Sequence, residues 1–269
     1  MKKILVTVLL CVCVVAGLAA QEKSLNAMSL NGITGLYVVP TAHLGWEDAD
    51  VGFNGGYHMN FVESELEDIF QANVSLFKWV EIAASYVGQP GPDDDDLLLG
   101  VKVRLPITNT AIALGGNFHY GDLGRSAGNH FATQVYGVVT YQAEFFGMPA
   151  DTTLMVGKSF YERVSVDSSI DFGMGFDLII LPKHLNRFLH WIVDFSNYGY
   201  NQSGNLGGGW GFLSNQAGIR GTVNTGLRID LSQIPVFSRF NFAVDAYLTD
   251  AFDADTRYFG IGATFGMKF

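Results

Sequence analysis

Beyond residue 20 this chain has no cysteine, because its two, Cys11 and Cys13, both sit in one early apolar run. The remainder can form no disulfide and offers no thiol nucleophile. Also missing after that run is any apolar stretch near the roughly 20 residues that a membrane-crossing helix needs. Charge is scarce and lopsided: 16% of residues are charged, with 16 Lys and Arg against 26 Asp and Glu. Binding nucleic acid requires clustered cations over phosphates, so this balance excludes it. What the chain has instead is 21 Phe, 32 Gly and 48% hydrophobic residues. An oily chain without spanning helices leaves a closed barrel as its membrane option, since only helices and barrels satisfy every backbone group in lipid.

Residues 1–20 read as a cleaved secretory leader. Lys2 and Lys3 precede the apolar run 4–15, and Ala16-Gly17-Leu18-Ala19-Ala20 supplies small residues before the expected cut. The run is too short to span a bilayer. Its removal takes both cysteines away and moves the formal charge from −10 to −12.

At the other end, residues 257–269 alternate strictly. Phe259, Ile261, Ala263, Phe265, Met267 and Phe269 fall on one face of a strand, and Tyr258, Gly260, Gly262, Thr264, Gly266 and Lys268 on the other. A strand with lipid on one side and a polar lumen on the other needs this pattern. The stretch resembles the C-terminal signal of bacterial outer-membrane β-barrels, carried here by Tyr258, Phe265 and Phe269. That resemblance implies recognition by the barrel-insertion machinery, contact with outer-membrane lipid and an outer-membrane location.

Similar alternation recurs from residue 50 onward. It predicts strands at 51–61, 70–77, 82–86, 97–105, 111–120, 131–144, 152–161, 170–181, 188–198, 217–231, 240–249 and 257–269, with Lys78-Trp79-Val80-Glu81 as a tight connection between the second and third. The expected fold is all-β: a transmembrane antiparallel up-and-down barrel of about twelve strands, with fourteen as the alternative. Tight connections alternate with longer polar ones at 89–96, 121–130 and 201–215, which places both chain ends at one rim.

Residues 21–49 stand apart from this meander. An extended run, 33–39, ends at Pro40, which lacks an amide hydrogen and stops a central strand. It reads either as a plain strand and turn or as a plug or constriction in the lumen, held by His58, Asn54 and Asn117. Gly35, Leu36, Pro40, Thr41 and Ala42 resemble the hallmark of the YjbH family of outer-membrane proteins, with His43 where that family carries Arg. The resemblance implies a link to exopolysaccharide production.

Strand phase sends a set of polar residues inward: Lys102, Arg104, Asn117, His119, Asp171, Asp177, His190, Asp194, Arg220, Thr222, Asn224, Arg228, Asp230 and Asp245. Facing lipid at mid-depth, a Lys or Arg would cost about 2 to 4 kcal/mol. Lys158 is the exception, sharing a face with Leu154 and Val156. Two functions fit such a lumen. One is a porin-like channel for small hydrophilic or saccharide-like solutes, its cations opposed by carboxylates across water. The other is a non-conducting barrel in envelope assembly or exopolysaccharide export, its charges paired. The channel is the expectation, with oligomeric state left open. An enzyme is the least supported class, because the sequence has no paired metal-ligand spacing, no Gly-x-Ser-x-Gly elbow and no P-loop. No cofactor or metal is expected. Asp93 to Asp96 read as a solvated acidic loop, with weak divalent-cation binding as the sharper alternative.

Overall fold

The computed structural model describes residues 27–62, 65–88, 96–107, 110–122, 129–161, 170–182, 187–197, 221–233, 240–252 and 257–269. The leader at 1–20, Asp93 to Asp95, Arg220 and the loop 201–215 lie outside the described residues. Twelve strands follow in chain order: β1 Val51–Val62, β2 Glu65–Leu76, β3 Val80–Gly88, β4 Asp96–Arg104, β5 Ala111–Asp122, β6 Asn129–Phe145, β7 Met148–Tyr161, β8 Asp171–Ile179, β9 Leu189–Ser196, β10 Thr222–Asp230, β11 Phe240–Thr249 and β12 Tyr258–Lys268. Each pairs antiparallel with its chain neighbours, and β12 returns to β1, so the sheet is a closed up-and-down barrel. Among the described residues no helix is long and apolar enough to cross a membrane.

Closure follows from the alternation in β1 and β12. Their register runs from Gly52 opposite Lys268 to Phe61 opposite Phe259, and the Phe269 amide donates to the Val51 carbonyl at 3.0 Å. First and last strands therefore start and stop at the same rim, and no edge is left unpaired. Phe53, Phe61, Phe259, Ile261 and Phe265 are exposed on the outer surface, while Asn54, His58, Asn60 and Thr264 are buried inside. The inward glycines of β12 have a steric purpose. His58 reaches Asp245 on β11 across Gly262 (3.3 Å), and Tyr247 reaches Asn60 across Gly260 (2.7 Å). A Cβ on either glycine would run into the His58 or Tyr247 ring.

Turns set where strands begin. Phe146 and Gly147 both take positive φ (52° and 73°), the twist of a two-residue hairpin turn, so β6 and β7 pair up to Phe145 opposite Met148. Sequence alternation places strands at 131–144 and 152–161, with Gly147 and Pro149 between them. Pro149 instead occupies the hairpin end, opposite Glu144. The tight connection after β2 is Phe77 to Trp79, so Val80 and Glu81 belong to β3 rather than to the turn. Asp96, expected in an acidic loop, opens β4 and is buried. Lys158 lies on the outward phase of β7 with Val156 and is half-buried.

Candidate functional site in the barrel lumen

Seen from inside, polar and charged side chains line the barrel wall from β1 to β11, interspersed with apolar ones such as Ile69, Leu98 and Met155. β1 to β4 contribute Asn54, Asn60, Glu67, Gln71, Asn73, Ser75, Glu81, Ser85 and Lys102, and β5 to β11 contribute Asn117, Gln134, Thr140, Asp171, Asp194, Asn224, Arg228 and Asp245, all buried. Period-two alternation forces this, since every residue opposite an outward apolar neighbour must face the axis.

The chain itself occupies that lumen. Every residue from 27 to 46 is buried, and the segment folds back twice, with bridges between Met28 and Thr34 and between Gly35 and Pro40. Leu30, Ile33, Leu36, Tyr37, Val38, Val39 and Ala42 form one apolar cluster with inward side chains of the wall, including Ile69, Val87, Leu98, Met155 and Tyr247. The Tyr37 and Tyr247 rings lie 4.9 Å apart and the Arg228 guanidinium sits 5.5 Å over the Tyr37 ring. Burial, reinforced by the charge of Asp245, raises the Tyr37 phenol well above its ordinary value, so it stays neutral.

A buried backbone must have its polar groups satisfied, and here the wall does much of it. Asp194 Oδ2 accepts the amides of Val38 (2.6 Å) and Val39 (3.0 Å). Glu81 accepts the Thr34 amide (2.7 Å), the Thr34 hydroxyl (2.5 Å) and the Gly45 amide (2.7 Å). Lys102 donates to the Thr34 carbonyl at 2.9 Å, and Arg228 to the Gly35 and Met28 carbonyls at 3.2 and 3.3 Å. Gln71, Asn73 and Ser85 donate to the carbonyls of Ser29, Gly32 and Leu30, while Ser75 and Thr140 accept the amides of Trp46 and Ala42. The side chains that receive the segment are thus led by Glu81, Lys102, Asp194 and Arg228. His58, Asn54 and Asn117, expected from sequence in that role, bond chiefly to other wall residues.

Most charges on the wall pair with neighbours one or two strands away. Arg228 Nε lies 2.5 Å from Asp245 Oδ1 and Lys102 Nζ 3.2 Å from Glu81 Oε1, both directly opposed in register. Asn224 donates to Asp194 at 2.7 Å, Asp171 accepts from Gln134 and Ser159, and His190 Nδ1 lies 2.6 Å from Asp177. His119 faces Asp96 at 3.4 Å, and Asp230 accepts from Ser232. Arg104 stands apart at the rim, where its guanidinium meets Glu47 at 2.5 Å. His43 Nδ1 (2.9 Å) and the Leu44 amide (3.1 Å) complete that cluster. Burial alone would raise the Glu47 carboxyl, but His43, Arg104 and the Leu44 amide outweigh it and hold it below its ordinary value. Nearby, Lys268 pairs with Asp48 and lies 5.6 Å over the Trp46 ring.

Glu81 was the principal residue hidden in the sequence. Its signal was present in the alternation of Glu81, Ala83 and Ser85 against Ile82, Ala84 and Tyr86, but masked by the adjacent turn. Gly35, Leu36, Pro40, Thr41 and Ala42 frame the inner hairpin: Leu36 donates to Val39, and Thr41 to the Thr34 carbonyl. Of the closing-strand residues, Tyr258 packs against the buried cluster, while Phe265 and Phe269 are exposed. Among the described residues no group of His, Cys, Asp and Glu is arranged to hold a metal.

No family model matches the sequence, and no curated protein matches it. Several solved structures are similar in fold. Omp33, an outer-membrane protein of Acinetobacter baumannii, is 10% identical with a TM-score of 0.48, over 81% of this chain and 97% of that one. The NanC porin is 10% identical with a TM-score of 0.48, over 81% of this chain and all of that one. The KdgM porin, in complex with disordered oligogalacturonate, is 7% identical with a TM-score of 0.46, over 81% and 99%.

Proposed function

We propose that this chain is a bacterial outer-membrane β-barrel that passes small hydrophilic solutes and rests closed on its own N-terminal segment. Support for the membrane setting comes from the outer surface, where Phe53, Phe70, Ile82, Leu99, Leu114, Val135, Phe160 and Leu227 are exposed on strands of a barrel without edges. In water such a surface would aggregate, whereas in lipid it is the solvated one.

The observation that carries the channel is the set of charged groups on the inner wall beneath the plug. A permanently filled interior gains most from apolar side chains, because buried ion pairs are often no better than well-packed hydrophobic replacements. Asp194, Glu81, Lys102 and Arg228 instead form a surface that water can solvate once residues 27–46 leave. The plug is the gate and the charged wall is the lining of the open state. The proposal includes no catalytic step and needs no cofactor. A second reading, a non-conducting barrel in envelope assembly or exopolysaccharide export, is favoured by the complete pairing of Arg228 with Asp245 and of Lys102 with Glu81.

A reversible lock separates the two. The Ala42 amide lies 2.9 Å from Thr140 Oγ1, so Ala42→Cys with Thr140→Cys ties plug to wall. In liposome swelling with pentoses and hexoses, the oxidised protein should admit nothing and the reduced protein should admit solute. Equal entry in both forms rejects the gate, and no entry in either favours the non-conducting barrel.

A further inference from the structure

Most hydrogen bonds from wall side chains to the plug fall on its main chain. Glu81 and Asp194 take amides and Lys102 and Arg228 give to carbonyls, while Thr34 also engages Glu81 through its hydroxyl and the Trp46 indole donates to the Phe53 carbonyl. Main-chain groups are common to every polypeptide, so these clamps do not depend on sequence.

Side-chain recognition comes from a different device. Three plug side chains rest against inward glycines of the wall at distances no larger residue would allow. A Cβ on Gly56 would lie 2.6 Å from Met28 Cε, one on Gly100 2.6 Å from Ile33 Cδ1, and one on Gly175 2.5 Å from Leu36 Cδ1. A fourth, on Gly52, would enter the Trp46 ring. Each glycine is a recess the size of a missing side chain, and each holds a large apolar group.

From these two features we infer that the lumen is a peptide-binding site, whose ligand is a folded-back polypeptide segment carrying large apolar side chains, and that residues 27–46 are its resident occupant. The inference rests on the plug being able to leave. Backbone clamps supply affinity and the glycine recesses supply selectivity, the same division between main-chain bonds and side-chain pockets that other peptide sites use. Saccharides lack the regular amide and carbonyl spacing that Glu81, Asp194, Lys102 and Arg228 engage, and have no apolar branch for the recesses.

The test uses the full chain, folded in detergent and then cut at a protease site inserted between Ala49 and Asp50. Cutting removes the high effective concentration of the tethered plug, so added ligands compete on equal terms. A labelled peptide of residues 27–46 should exchange for the resident fragment. A peptide with Ser in place of Met28, Ile33, Leu36 and Trp46 should bind more weakly by about tenfold or more for each recess left empty, the scale of one buried apolar side chain. A linear oligosaccharide should not displace the fragment. Gly100→Val should reverse one preference, so that a peptide with Ala in place of Ile33 binds better than the parent.

Equal binding of parent and Ser-substituted peptides would overturn the inference. So would displacement by the saccharide, retention of the fragment against excess parent peptide, or an unchanged preference in Gly100→Val. Exchange is read without a membrane. Absence of solute flux therefore counts against the channel alone, and flux without peptide selectivity counts against the peptide site alone.

Discussion

Arg228 has no exposure to speak of, yet it carries a full charge, donates to Asp245 and caps two plug carbonyls. Removing one partner of such a pair leaves the other charge buried and uncompensated, at a cost of about 3 to 5 kcal/mol. Arg228→Ala should therefore lower the urea midpoint of the folded barrel, and Arg228→Met combined with Asp245→Leu should recover most of the loss. A double variant no better than the single one would mean that the plug carbonyls, not Asp245, are what Arg228 satisfies. Glu47 makes a pH-dependent contribution. Its folded value lies below its unfolded one, so the stabilisation is present above the unfolded value. It is lost as pH falls through the folded value, in the acid range below about 4.3. Cleavage at 47–50 by an acid-active protease should rise over that range in the parent and be flat in Glu47→Gln. A rise toward alkaline pH instead would contradict the latch of Glu47 with His43 and Arg104.

Elements of this barrel differ in how plainly the sequence announces them. β11 spans Phe240–Thr249, the bounds its alternation implies, and β12 differs from 257–269 by a residue at each end. Turn chemistry overrides pattern at Phe146-Gly147, where a bulky residue accepts positive φ, and at Val80-Glu81, where the turn ends at Trp79, while β2 begins at Glu65 rather than 70, before the apolar alternation starts. β12 closes the sheet along Gly52 to Phe61, its last residues pairing with Gly52 to Asn54 and the Phe269 amide with Val51. Deleting residues 266–269 should leave export intact and sharply reduce the folded, heat-modifiable form in the outer-membrane fraction. Undiminished folded protein there would show that closure does not depend on the last strand's end.

For the whole molecule, alternation reveals which side chains face the axis but not what they meet there. Asp194 and Val38 are 156 residues apart, and Arg228 and Gly35 are 193 apart. Period-two reasoning places Asp194 and Arg228 inside. The lumenal reading of 33–39 comes instead from an apolar run stopped by Pro40, and neither signal says which wall residues that run meets. Glu81 escapes for a related reason, since the residue that grips Thr34 and Gly45 lies one step past a turn. A charged lining and an apolar occupant are separate messages in the sequence, and only the closed barrel brings them together.

Single-channel conductance of the refolded full chain, set against a variant lacking residues 32–42, tests the closed-barrel account most directly. The deletion removes the backbone groups held by Lys102, Glu81, Asp194 and Arg228 together with Ile33, Leu36 and Tyr37, while leaving β1 and β12 untouched. The full chain should be closed for most of the record, and the folded, heat-modifiable deletion variant should show steady openings with several-fold greater conductance. A folded deletion variant that conducts no better than the full chain would contradict it.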